Sequence, residues 1–228
     1  MKKVISIILC LAMCVLFVSC GNNFEEEKAA LVGTKWFSAE DTSNSIVVWN
    51  FYEESVERAG YFVDGNGMHD SDKEVAEYEI QKDVIKVSFE DEQVLIPYTF
   101  ENGKINLKAG EYFSPEDIDK AIQGFWNLRQ SSSFLGITSS NEYNIQFDNG
   151  TMIIEEAAEA INGGPGEYYY YGPYEGTYTI GDGTFETDAK NGDRYFFNVY
   201  EGEVNVFHYG SEMKRGEGLP GAEGYKFD

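Results

Sequence analysis

The sequence predicts an all-β fold: antiparallel meanders curled into two tandem barrels, each preceded by a short helix. Three observations lead there. Apolar and polar residues alternate, or nearly so, in segments such as 77–80 and 84–89, the period of half-buried strands. Turn dipeptides recur at 64–65, 102–103, 149–150, 182–183, 191–192 and 201–202 as Asp-Gly, Asn-Gly or Glu-Gly, and frequent turns between short strands describe a meander. Finally, the chain resembles itself at a distance of about ninety residues.

At the amino end, Lys2 and Lys3 precede an apolar run over 4–18 that closes on Ser19-Cys20-Gly21. A spanning helix needs about 20 apolar residues, so this shorter run reads as a signal peptide. Its exit resembles a bacterial lipobox. That resemblance implies removal of residues 1–19, lipid on Cys20, and attachment to the outer face of a cell-envelope membrane. Cys10 and Cys14 would leave with the signal, so the mature chain keeps no thiol for disulfides, metal or catalysis. Losing Lys2 and Lys3 leaves 15 bases against 40 acids, a net charge of −25. Such a body is repelled by nucleic acid and by anionic head groups, leaving attachment to the lipid. Its 16 Tyr, 16 Phe and 3 Trp argue for a folded core and against acidic disorder.

The repeat sets the domain reading. A short helix over 24–30, with acids in its first turn, leads to Leu31-Val32-Gly33-Thr34-Lys35-Trp36. A second over 114–121, capped by Ser114 with Pro115 behind it, leads to Ile122-Gln123-Gly124-Phe125-Trp126. Segments 47–51, 78–83 and 100–107 then match 143–147, 178–183 and 200–206. Tyr78 to Asn106 spans 28 residues and Tyr178 to Asn205 spans 27, whereas Trp36 to Tyr78 spans 42 and Trp126 to Tyr178 spans 52. A ten-residue insertion is therefore expected in the second copy, and the Gly- and Tyr-rich segment 163–174 is its natural place. The units expected are a signal at 1–19, a lipidated stretch and helix at 20–30, β-units at 31–113 and 114–209, and a surface tail at 210–228.

A helix, a Gly-x-Trp strand and a meander with a Tyr-x-Ile strand resemble the lipocalin-like domains of bacterial lipoproteins. Gly124-Phe125-Trp126 fits the motif, and Asn149-Gly150 after Phe147 fits the turn that follows. The first copy departs, since two residues separate Gly33 from Trp36 and Glu53-Glu54 stand in place of the glycine turn. The resemblance covers roughly 31–108 and 122–209 and implies structural roles for Gly33, Trp36, Gly124 and Trp126. Each tryptophan would close a barrel beneath its helix. Copies this small imply interiors filled by side chains.

Candidate sites are few. Tyr168, Tyr169, Tyr170, Tyr171 and Tyr174 offer apolar rings with hydrogen-bonding tips, suited to a saccharide, a peptide or a partner protein. The competing reading places alternate tyrosines in the core. The acidic segment 64–74 fails as a calcium loop because Met68 and His69 stand where an oxygen ligand and glycine belong. Gly216-x-Gly218-x-x-Gly221 is no dinucleotide site, since Pro220 stands where a helix would have to start. Only His69 and His208 could act as bases near neutral pH, and no nucleophile elbow or His-Glu-x-x-His helix is present. No catalytic residue, metal or cofactor is expected. The expectation is a lipid-anchored, non-enzymatic binding module. The alternatives are a carrier of a small apolar ligand and a carbohydrate-active enzyme using a carboxylate pair.

Overall fold

The computed structural model describes residues 24–39, 43–135, 137–162, 167–190 and 192–221. The signal segment and Cys20 lie outside the described residues, as do 163–166 of the insertion and 222–228. The described chain is mostly antiparallel β-sheet with two short helices.

Helix α1 (Glu25–Leu31) carries three glutamates in its first turn and buries Leu31. Eight strands follow: β1 (Lys35–Ser38), β2 (Ser45–Phe51), β3 (Ser55–Asp64), β4 (Gly67–Gln81), β5 (Val84–Ser88), β6 (Gln93–Glu101), β7 (Lys104–Leu107) and β8 (Tyr112–Phe113). They form one sheet in the order β7-β6-β5-β4-β3-β2-β1-β8. Since β8 follows β7 closely in the chain yet pairs with β1, the sheet curls nearly shut into a barrel. Its interior is occupied by Trp36, Trp49, Phe51, Val56, Ile85, Ile96 and their neighbours, capped by Leu31. The opposite face of β1–β3 buries Phe37, Ile46, Val48, Ala59 and Tyr61 in a different cluster, shared with the second half. Burial on both faces explains why 46–49 is a continuous apolar run.

Helix α2 (Pro115–Ile122) opens with a capping box. The Asp117 N–H donates to Ser114 Oγ at 3.2 Å and the Ser114 N–H to Asp117 Oδ2 at 3.0 Å. Ile118 and Ile122 face the core. Nine strands follow: β9 (Gly124–Phe134), β10 (Ile137–Asp148), β11 (Thr151–Asn162), β12 (Glu167–Ile180), β13 (Phe185–Thr187), β14 (Tyr195–Tyr200), β15 (Glu203–His208), β16 (Ser211–Glu212) and β17 (Lys214–Arg215). One sheet runs β13-β12-β11-β10-β9-β17 and another β14-β15-β16. A bridge at Thr184–Phe196 joins them at one edge, and Met213 links β16 to β17 at the other. Part of the expected surface tail is therefore sheet. Arg215 lies 4.0 Å over the Trp126 ring and donates to the carbonyls of Ala121 and Gln123, at the end of α2, where orphan carbonyls and the helix dipole favour a cation.

Registers place the matched segments in matching positions. Trp36 pairs with Trp49, and Trp126 with Ile145; Ile80 pairs with Ile85, and Ile180 with Phe185. Phe51 meets Tyr78 edge-on at 5.5 Å, and Phe147 meets Tyr178 edge-on at 5.1 Å. Both β3–β4 and β11–β12 carry a register shift, at Ala59/Tyr61 and at Ile154/Glu156. Two expectations need correction. The tight turns Asn102-Gly103 and Glu201-Gly202 align with each other, which sets Tyr200 against Glu101 and not against Phe100. The ten residues by which the two spans differ also do not sit together. Trp126 to its partner spans 19 residues against 13 for Trp36, so six lie in the β9–β10 hairpin. Thr151 to Thr177 spans 26 against 22 from Ser55 to Glu77, so four lie in β11–β12.

Among the described residues no strand pairing joins 31–108 to 122–209. The halves meet by packing: Phe37 against Phe197 at 5.3 Å, with an ion pair between Lys35 and Asp182 and a bond from Asn198 to the Ser43 carbonyl.

Candidate functional site: a cleft at the end of the second half remote from α2

Along β9–β12, Trp126, Ile145, Ile154 and Tyr174 form one inward row; Leu128, Tyr143, Glu156 and Tyr171 form the next. The first row is core beside α2. The second turns polar. Opposite it, Val204, Val206 and His208 point the same way by strand alternation, and Tyr195 pairs with His208. The Tyr143 and His208 rings stack at 3.8 Å and 24°, with Tyr195 and Tyr209 at 5.2 and 5.1 Å from the imidazole. Arg194, ending the 3-10 turn Gly192–Arg194, reaches Glu156 Oε1 at 2.6 Å. Gln130 donates to Ser211 Oγ at 2.7 Å.

Of these, Gln130, Tyr143, Arg194, His208, Tyr209 and Ser211 line a half-open cleft of about 410 Å³, with Gly65, the tip of the β3–β4 hairpin, as part of its wall. Gly210 permits that approach: a Cβ there would come within 2.8 Å of the Asp64 carbonyl carbon and 2.9 Å of Gly65 N. The cleft thus belongs to both halves. The segment 64–74, expected to be a solvated loop, is a tight turn at 65–66 followed by strand.

The cleft is polar but nearly neutral. Burial, reinforced by Arg194, pushes the His208 imidazole down to about 4, so it is uncharged at ordinary pH. His208 is 5% exposed and its Nε2 is buried without a hydrogen-bond partner. Leaving such a group unsatisfied costs about 1–3 kcal/mol. Burial pushes the Glu156 carboxyl up, against the opposing pull of Arg194.

The tyrosine segment lies nearby without forming this cleft. Tyr168, Tyr169 and Tyr171 are exposed, while Tyr170 donates to Glu155 Oε1 at 3.0 Å and Tyr174 stands beneath Lys190 at 5.0 Å. Tyr168, Tyr169 and Tyr171 stay out of the core, while Tyr174 packs against it, partly buried. Tyr171, opposite Glu156 in register, brings the segment to the cleft's edge. Trp36 and Trp126 are buried near their helices, their indole N–H groups donating to Thr34 Oγ1 at 3.0 Å and Ile122 O at 2.7 Å. Gly33 and Gly124 sit at φ of 80° and 101°.

At the mouth of the first barrel Arg58 lies 4.1 Å over Phe89 and is held by Glu74 and Glu92, so its charge is already matched. Among the described residues no group of three His, Cys, Asp or Glu is arranged to hold a metal ion. Sequence reasoning named His208 but missed Glu156 and Arg194. The available signal was Glu155-Glu156 inside the apolar run 152–158. Comparison with protein-family models, curated proteins and solved structures gives no significant match.

Proposed function

We propose that this chain is an extracytoplasmic lipoprotein, anchored through Cys20, whose two lipocalin-like β-units arose by duplication and present a ligand-binding cleft at their junction. Matching registers, the equivalent Phe–Tyr pairs and the paired register shifts support the duplication. The observation that carries the binding reading is His208 Nε2, a buried hydrogen-bonding atom left unpartnered beside a polar cleft. Because Nε2 itself is enclosed, a ligand group can satisfy it only with a turn of the imidazole towards the cleft that His208 lines. Tyrosine faces, an amide, a hydroxyl and a matched Arg–Glu pair suit a compact uncharged ligand rich in hydroxyls or amides, such as a saccharide unit or a short peptide turn. Side chains crowd both cores, which favours this surface cleft over carriage of an apolar ligand inside a barrel.

The anchor is tested by metabolic labelling with a fatty acid: wild type takes up label and Cys20→Ala does not. The cleft is tested by probing glycan and peptide arrays with labelled protein. Retention by wild type and loss in Arg194→Met supports the site, whereas retention unchanged in that variant places recognition elsewhere.

A further inference from the structure

The extension of the β9–β10 hairpin ends in a tip that the fold does not require. Phe134 and Ile137 form the last pair of the ladder, and Leu135 stands beyond them in the turn. Their exposures are 75% for Phe134, 87% for Leu135 and 44% for Ile137. Leu135 has φ 50°, a left-handed conformation that costs most residues strain and favours Gly, Asn or Asp. At the comparable turns that position holds Asn102, Asn149, Glu201 and Tyr209, each followed by glycine, and Tyr209 is half-buried against Phe196. Among these turns only that of Leu135 leaves a large apolar side chain in water.

Behind the tip the chain carries no charge from Gln130 to Asn141, in a protein with 40 acidic residues. Serine and threonine hydroxyls pair across the hairpin instead, Ser131 with Ser140 and Ser132 with Ser139 at 2.8 Å. On the neighbouring hairpin, Tyr168 and Tyr169 lie three and four residues back in register, about 10–14 Å from the tip at the rise of a strand. Along β9–β10 the layers are apolar tip and uncharged hydroxyl collar; the neighbouring hairpin adds the tyrosines, with Glu167 level with Ser139 and Glu159 level with Ser140, bonded to Tyr169 and Tyr168. That order lets the tip enter a membrane interface while the acids stay at head-group level. Three side chains on a convex turn offer far less area than the roughly 1,200–2,000 Å² of a stable protein interface. They suffice to dip into lipid.

We propose that the β9–β10 tip inserts into a lipid bilayer surface, with Leu135 deepest and with no need for anionic lipid. This contact is independent of Cys20 and of the cleft. It would bring the second unit to the membrane, contrary to the outward placement that a tether at the first unit alone implies.

The test uses the chain from residue 20 with Cys20→Ala, so that no acyl chain contributes; every described element is retained. Flotation with phosphatidylcholine vesicles is compared with a Phe134→Ser/Leu135→Ser/Ile137→Ser variant, its fold checked by near-ultraviolet circular dichroism. The variant's partition coefficient is expected to fall at least tenfold, and added phosphatidylglycerol should not strengthen wild-type binding. In Leu135→Trp, emission from the introduced indole should shift to the blue on vesicles. Equal partition of wild type and triple variant, or no wild-type binding, would overturn the proposal. So would concentration-dependent self-association that the triple variant abolishes while vesicles bind neither.

Discussion

Acidification should destabilise this protein through His208 in a way one substitution can isolate. A base whose folded pKa is depressed is protonated in the unfolded chain before the folded one. Stability is therefore fully present above the unfolded value of 6.5 and is lost as pH falls towards about 4. Between pH 8 and pH 5 the loss from this residue is about 2 kcal/mol, given 1.36 kcal/mol per pKa unit. The groups facing the imidazole are Tyr143, Tyr195, Tyr209 and Arg194, with Glu156 behind the arginine. Glu156 titrates with the opposite sign, because its raised pKa makes acid favourable to the folded state. His208→Phe keeps a ring against Tyr143 and removes the titration. Urea unfolding of both proteins at pH 8 and pH 5 gives the comparison, in which Glu156 and the other carboxylates largely cancel. Wild type should lose about 2 kcal/mol more than the variant over that range. Parallel losses would refute the assignment of a buried, neutral His208.

Arg215→Ala removes a cation–π contact and bonds to helix-end carbonyls; a loss of about 2 kcal/mol in urea unfolding is expected, with changed emission from Trp126. Phe147→Ala empties a site 1% exposed and should cost about 3–5 kcal/mol. Lys35→Met breaks the ion pair to Asp182, whose side chains are 31% and 37% exposed, and should cost below about 1 kcal/mol because such pairs are screened.

Much of the fold was legible because its signals are local. Period-two alternation, glycine turns and the Ser114 cap act within a few residues, and the structure places α2 and the tight turns at 102–103, 149–150 and 201–202 where they fall. The spans Trp36–Tyr78 and Trp126–Tyr178 differ by ten residues in the sequence, but only strand register divides that difference into six and four. Strands β16 and β17 have two residues each, too few to show any period. The pairing of β17 with β9, and with it the role of Arg215, was hidden for that reason. The cleft was least legible of all. Gln130, Tyr143, Glu156, Arg194 and His208 come from separate elements and meet only when two sheets face each other. The tyrosine run drew attention because composition is visible in sequence, whereas convergence is not.

The central claim, that a ligand completes His208 in the junction cleft, is tested most directly by nitrogen-15 NMR of the histidine side chains. A ligand found on the arrays is titrated into the full mature chain. On binding, the His208 Nε2 resonance should move with the shift of a newly formed hydrogen bond, while His69, half-exposed beside Asp64, stays where it was. A ligand that binds with unchanged affinity and leaves His208 unmoved would contradict it.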